Sequence, residues 1–129
     1  MKLLLDTCTA LWLQLSPERV PARLLAVLAK PGNEVFFSAT SAWEIAIKWQ
    51  TGKLLLPVPP PEFVMRMRTE SEIEPLPVEE SAAFQLSKLP RLHGDPFDRM
   101  LIAQAIEHGL ILATPDPLIQ QYAVRTMWD

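Results

Sequence analysis

Short apolar runs alternate along this chain with stretches whose apolar residues recur every three or four positions, and the two patterns predict different elements. Lys2 to Leu5, closed by Asp6, and Val35 to Phe37, closed by Ser38, read as buried strands. Between them, Thr7 to Leu15 and Ala22 to Lys30 carry helical spacing, with Pro17 and Pro21 as breaks and Pro31-Gly32-Asn33 as a stop. A third helix is predicted over Ser41 to Gln50, ended by Thr51-Gly52, with Ser41 and Glu44 at the spacing of a capping box. Pro57 to Pro61 reads as a polyproline-like turn leading into Glu62 to Arg68, and Ile73 to Leu76 as at most a very short strand. Val78 to Lys88 has helical character. The sharpest pattern is the helix that opens with Asp95 at the cap and Pro96 in the first turn, and runs to His108, stopped by Gly109. Leu110 to Ala113 then reads as a buried strand, Asp116 to Tyr122 as a short helix and Val124 to Trp128 as a last strand. Strands alternating with helices predict an α/β fold with a mostly parallel sheet covered on both faces.

Composition narrows this picture. At 129 residues, with 49% hydrophobic and 21% charged positions, the chain is expected to form one domain over residues 1–129 around one core, without repeat or linker. Thirteen prolines against four glycines punctuate short elements and disfavour a long helical bundle. A formal charge of −3 gives no general attraction for a polyphosphate strand, unless cations held by some of the fifteen acids reverse the sign locally. Cys8, the single cysteine, leaves no internal disulfide and no zinc–cysteine cluster, which fits a reducing compartment. The apolar stretch after Met1 is too short for a signal peptide and no run is long enough to span a membrane, so the expected location is cytoplasmic.

On this map the acids hold corresponding positions. Asp6 follows the first strand, Glu44 lies in the first turn after the second, and Asp116 follows the strand at Leu110 to Ala113, while Asp95 and Asp98 open the long helix. In a parallel sheet the carboxyl ends of all strands share one edge, where open α/β sheets bind ligands. Each acid alone also suits a helix cap, and Glu44 has a ready structural role as partner of Ser41. Capping does not explain their convergence: carboxylates gathered on one edge raise one another's pKa unless cations sit among them. Oxygen-only ligands favour Mg²⁺ or Mn²⁺, and such a centre suits phosphodiester hydrolysis by an activated water. No Walker loop or dinucleotide fingerprint competes. His93, beside Gly94, can touch substrate or serve as a loop residue, and His108 suits the negative end of its helix.

With these residues in view, the sequence resembles the PIN-domain family, and within it the VapC-type toxin ribonucleases of prokaryotic toxin–antitoxin pairs. The matching segments are Leu3-Leu-Leu-Asp6-Thr7, Ser38-Ala-Thr-Ser-Ala-Trp-Glu44-Ile-Ala-Ile-Lys48, Gly52-Lys53-Leu54, Asp95-Pro-Phe-Asp98-Arg99-Met-Leu-Ile-Ala-Gln-Ala105 and Leu112-Ala-Thr114-Pro-Asp116. They span nearly the whole chain in the expected order, and the stretch from Asp95 is the most specific. The resemblance implies a three-layer α/β/α sandwich and endonucleolytic cleavage of RNA at an acidic pocket holding Mg²⁺, or Mn²⁺. Carried over, Asp6, Glu44, Asp98 and Asp116 are the catalytic and metal-binding acids and Asp95 a further candidate ligand; either Asp95 or Asp98 can be the nearer one. Thr7 and Thr114 are implied as polar groups around the ligands and Lys48 and Arg99 as phosphate-facing cations, four candidate substrate contacts in all. Cys8, where relatives often carry histidine, and Pro115, which stiffens the loop before Asp116, depart from the family pattern.

The resemblance further implies a VapB-type antitoxin that blocks the site, and a homodimer. Trp12, Trp43, Trp49, Phe63, Met65 and Met67 are the apolar side chains available to such surfaces, with core burial the competing expectation. Glu70, Glu72, Glu74, Glu79 and Glu80 are expected on a solvated face. Two other readings keep the same acids. A catalytically inactive PIN-fold module would bind RNA or protein and hydrolyse nothing. A magnesium-dependent phosphotransfer domain would want Asp-x-Asp at the first strand's end, where Cys8 stands.

Overall fold

The computed structural model describes all 129 residues. Its elements run β1 (Lys2–Leu5), α1 (Thr7–Leu15), a single 3₁₀ turn (Pro17–Arg19), α2 (Ala22–Ala29), β2 (Glu34–Ser38), α3 (Ala39–Gln50), α4 (Pro60–Ser71), β3 (Glu74–Leu76), α5 (Glu80–Leu86), α6 (Pro96–His108), β4 (Ile111–Ala113), α7 (Pro117–Gln120) and β5 (Thr126–Met127). The five strands form one sheet in the order β3-β2-β1-β4-β5, and every pairing is parallel.

Alternation along the strands divides the apolar side chains between the two faces. Leu3, Leu5, Val35, Phe37, Ile111 and Ala113 pack with Ala10 of α1, Leu24 of α2, Ile45 of α3 and Met67 of α4. Leu4 and Leu112 face the other way, onto Leu101, Ile102 and Ala105 of α6, Ile119 of α7 and Tyr122. The result is the expected three-layer sandwich, with α1 to α4 covering one face and α6 and α7 the other.

The boundaries correct the sequence expectation in ways that bear on chemistry. Helix α3 starts at Ala39, with Ser38 as its cap accepting from the Thr40 amide at 2.9 Å, so Ser41 already lies inside the first turn. Glu44 is therefore no capping partner. Pro60 and Pro61 open α4 instead of preceding it, since proline at the first helical positions removes only amides that lack partners there. Glu72 ends that helix in the left-handed conformation, φ 52°. Helix α6 matches expectation, capped by the Asp95 carboxylate and closed by Gly109 at φ 66°, a conformation that favours glycine. Strand β5 is shorter than expected. Glu70, Glu72, Glu74, Glu79 and Glu80 are all exposed. Phe63 and Met67 are core, Trp12 is half-buried, and Trp43, Trp49 and Met65 are exposed. No helix is long and apolar enough to cross a membrane.

Candidate metal centre

The chain leaves β1 outward through β2 and β3 and returns on the opposite side as β4, so the sheet order reverses beside β1. Crevices at such reversals, beyond the carboxyl ends of the strands, are the usual ligand sites of parallel sheets. Here a cleft of about 310 Å³ opens, lined by Asp6, Thr7, Cys8, Leu11, Trp12, Glu44, Lys48, Asp95, Asp98, Pro115 and Asp116. All five predicted acids reach it, including Asp116 with Pro115 beside it.

Each aspartate that caps a helix does so through one oxygen. Asp6 Oδ1 accepts from the Thr9 amide at 2.7 Å, Asp95 Oδ1 from the amides of Phe97 and Asp98 at 2.8 and 3.1 Å, and Asp116 Oδ1 from the Leu118 amide at 2.8 Å. Capping thus orients these carboxylates without using their whole acceptor capacity. Glu44 caps nothing. Its Oε2 accepts from the Lys48 ammonium at 2.5 Å, and its Oε1 is buried without a partner.

Hydroxyl and amide bridges fix the spacing between elements. Thr7 of α1 donates to Ser41 of α3 at 2.9 Å, which ties the segment after Asp6 to the helix that carries Glu44. Gln104 of α6 is fully buried; its Oε1 accepts from the Ser38 hydroxyl at 2.5 Å and its amide donates to the Pro77 carbonyl at 3.2 Å, joining the helix of Asp98 to the end of β2. Thr114, also fully buried, accepts from the Asp116 amide at 3.1 Å.

The electrostatics are those of an anionic cleft short of cations. Burial pushes the Asp6 carboxyl above its ordinary range, and the nearby Asp116 charge adds to the effect, against the Thr114 hydroxyl and the Thr9 donors that pull it down. Burial likewise raises Asp98 to about 6, with Asp95 and Glu44 contributing and His93 opposing. The Cys8 thiol is driven up to about 11 by burial and then by Asp6, so it lines the cleft as a neutral group. Lys48 is held above its usual value by its hydrogen bond to Glu44.

Of the four candidate substrate contacts, Thr7 and Lys48 line the cleft, and Arg99 and Thr114 do not. Arg99 does not line the cleft: its guanidinium donates to the Pro90 carbonyl at 2.8 Å and the Tyr122 hydroxyl at 3.1 Å. One residue beyond Asp98 is a rotation of about 100° around a helix, which turns Arg99 toward the α5–α6 loop. Thr114 is fully buried, with its hydroxyl accepting from the Asp116 amide and placed to bond the Asp6 carboxylate. Lys48 does line the cleft, and Thr7 lines it with its hydroxyl turned to Ser41. His93 also lies outside the cleft's lining, but its Nε2 reaches to 2.8 Å from Asp98 Oδ2. His93, Asp98 and Asp116 can offer ligand atoms that all lie within 4.8 Å of one another. The sequence offers His93, beside Gly94, only as a substrate contact or a loop residue.

The donor set fits a hard divalent ion. Oxygen ligands predominate, one Glu44 oxygen is buried without a partner, and two carboxyls are shifted in the direction that a nearby positive charge would reverse.

The family model described as PIN domain matches residues 3–124. A relative named ribonuclease VapC22, from Mycobacterium tuberculosis, is 27% identical over 120 residues, which cover 92% of this chain and 90% of the relative. Among solved structures, VapBC2 from Rickettsia felis, bound to a DNA fragment from its promoter, aligns over 100% of both chains with a TM-score of 0.77 at 17% identity. FitAcB from Neisseria gonorrhoeae aligns over 97% of this chain and 96% of its own, with a TM-score of 0.63 at 24% identity.

Proposed function

The chain belongs to the PIN-domain family, and from that premise and the cleft's five carboxylates we propose that it is a divalent-metal-dependent endoribonuclease, the toxin of a toxin–antitoxin pair. The observation that carries this reading is the convergence of Asp6, Glu44, Asp95, Asp98 and Asp116 at the carboxyl edge of the sheet, with Glu44 Oε1 buried and unpaired. VapC22 is named a ribonuclease, and the Rickettsia structure is of a VapBC complex, which supports RNA as substrate and a VapB-type antitoxin as partner.

Asp6, Glu44, Asp98 and Asp116 would hold the ion, Mg²⁺ or Mn²⁺, with Asp95 beside them. Such an ion, when bound, stabilises charge on a phosphodiester and supplies an activated water. The protein's own share is placement. Asp6, Asp95 and Asp116 are oriented by the amides they cap, Glu44 by Lys48, and the distances between them by the Thr7–Ser41 and Ser38–Gln104 bridges. Lys48, with its side chain 45% exposed, is the cation in reach of an incoming phosphate. We read the whole chain as one PIN domain that works as a homodimer in the cytoplasm.

The test is cleavage of total RNA by purified protein in Mg²⁺, Mn²⁺ or EDTA, with the new ends mapped. Ends that require metal and vanish in Asp6→Asn, with folding retained, are the expected result. Ends that persist in EDTA or in that variant would overturn the proposal, and folded wild-type protein that cuts nothing in either metal would favour the inactive binding module.

A further inference from the structure

The loop between α5 and α6 is built to deliver one side chain. The Tyr122 hydroxyl, on a residue only 5% exposed, accepts from the backbone amides of Leu92 and His93 at 3.2 and 2.9 Å and from Arg99 Nη1 at 3.1 Å. Arg99 also donates to the Pro90 carbonyl at 2.8 Å, so the segment is pinned at Pro90, Leu92 and His93. Loops held only by their ends do not spend three donors on one buried oxygen. The consequence is that the His93 imidazole, 14% exposed, is set against Asp98, with its Nε2 facing the carboxylate and Asp116 within the same ligand-sized group. His93 reaches Asp98 from outside the cleft's lining, and the cleft that Asp98 and Asp116 line also holds the unpaired Glu44 Oε1, an acceptor buried with nothing to satisfy it.

We propose that His93 is a nitrogen ligand of this metal centre, held in place by Tyr122 and Arg99, and that it biases the site toward Mn²⁺ over Mg²⁺. The inference rests on the metal-dependent reading above and deepens it. Mg²⁺ is a hard ion that prefers oxygen, whereas first-row transition ions accept imidazole readily, so exchanging a water or carboxylate for imidazole changes the preference between them. The ligating imidazole is neutral, with its Nε2 lone pair toward the ion and its proton on Nδ1. Arg99 then has a different part from the phosphate contact expected of it: with Tyr122 it positions the loop.

The experiment is Mn²⁺ titration followed by the paramagnetic resonance of the free ion, with Mg²⁺ competition and pulsed detection of nitrogen coupled to bound Mn²⁺. Wild type, His93→Ala, His93→Gln and Tyr122→Phe are compared after their folding is checked by circular dichroism. Wild type is expected to bind Mn²⁺ with a nitrogen coupling. Both His93 variants lose that coupling and bind Mn²⁺ about tenfold more weakly, while their Mg²⁺ affinity changes by less than about twofold. Tyr122→Phe keeps the coupling and weakens Mn²⁺ binding to an intermediate degree. His93→Gln retaining full Mn²⁺ preference would overturn the proposal, leaving His93 as a hydrogen-bond support of Asp98. So would a coupling that survives His93→Ala, or wild-type Mn²⁺ binding without any coupling; in those cases the metal-dependent reading stands. Wild-type protein that binds neither ion defeats both.

Discussion

Replacing Asp98 by asparagine is expected to stabilise the metal-free protein while abolishing its cleavage of RNA. The Asp98 carboxyl is raised from 3.8 to about 6, chiefly by burial and then by Asp95 and Glu44, so ionising it costs more in the folded state than in the unfolded one. A folded pKa above the unfolded value means that wild type gains stability as pH falls through about 6 and loses it as pH rises. Two units correspond to about 3 kcal/mol at pH 7.5. The side chain remains 18% exposed, and solvent screening reduces the expected gain for Asp98→Asn to about 1–2 kcal/mol. Asparagine keeps the shape and can still bond to His93. The assay is urea unfolding in EDTA at several pH values: the variant is more stable at pH 7.5, by roughly 3–8 °C if read as a melting temperature, and the gap closes toward about pH 4. Millimolar Mg²⁺ reverses the order, because an ion bound to the native state stabilises wild type and the variant has lost a ligand. A variant no more stable than wild type in EDTA, with a parallel pH profile, would refute the claim that this cleft is short of positive charge.

Three further changes probe the rest of the site. Lys48→Met removes the ammonium that occupies Glu44 Oε2, so divalent-ion binding measured by calorimetry is expected to tighten several-fold while RNA turnover falls; weaker ion binding would contradict the geometry. Gln104→Leu leaves the buried Ser38 hydroxyl without its acceptor and is expected to cost about 1–3 kcal/mol in urea unfolding, with a lower cleavage rate as α6 loses its register against β2. Thr7→Val removes the donor to the buried Ser41 hydroxyl, for a loss of about 1–2 kcal/mol, and a neutral result would show that α1 and α3 are held together by packing alone.

What could be read from the chain and what could not divide along a physical line. Helix α6 is legible because its signals are local: a capping aspartate, proline in the first turn and a glycine at the end all lie on one short stretch. The convergence of the acids is legible once the strands are assumed parallel, because strand ends then become neighbours whatever their separation. The start of α3 is misread because Ser38 and Ser41 carry the same capping chemistry, and tertiary contact decides between them: Ser38 also bonds to Gln104, and Ser41 is engaged by Thr7. The direction of Arg99, away from the cleft, is not legible because a motif gives order along the chain and not the direction of a side chain around its helix. His93 and Tyr122 are underweighted because their partnership joins a loop to a residue 29 positions away, which leaves no periodic trace.

The placement of β4 between β1 and β5 has a consequence for when this protein can act. Asp116 meets Asp6 only after residues 111–113 have laid themselves along Leu3 to Leu5, so the pocket is incomplete until the fourth strand has paired. A chain with only β1, β2 and β3 paired still lacks Asp116 and the far wall of the cleft. Parallel pairing over such sequence distance is slow to form, which lengthens that interval. On the proposed reading as a toxin nuclease, the chain is inactive until that pairing is made, and a partner that keeps β4 from docking would disarm it.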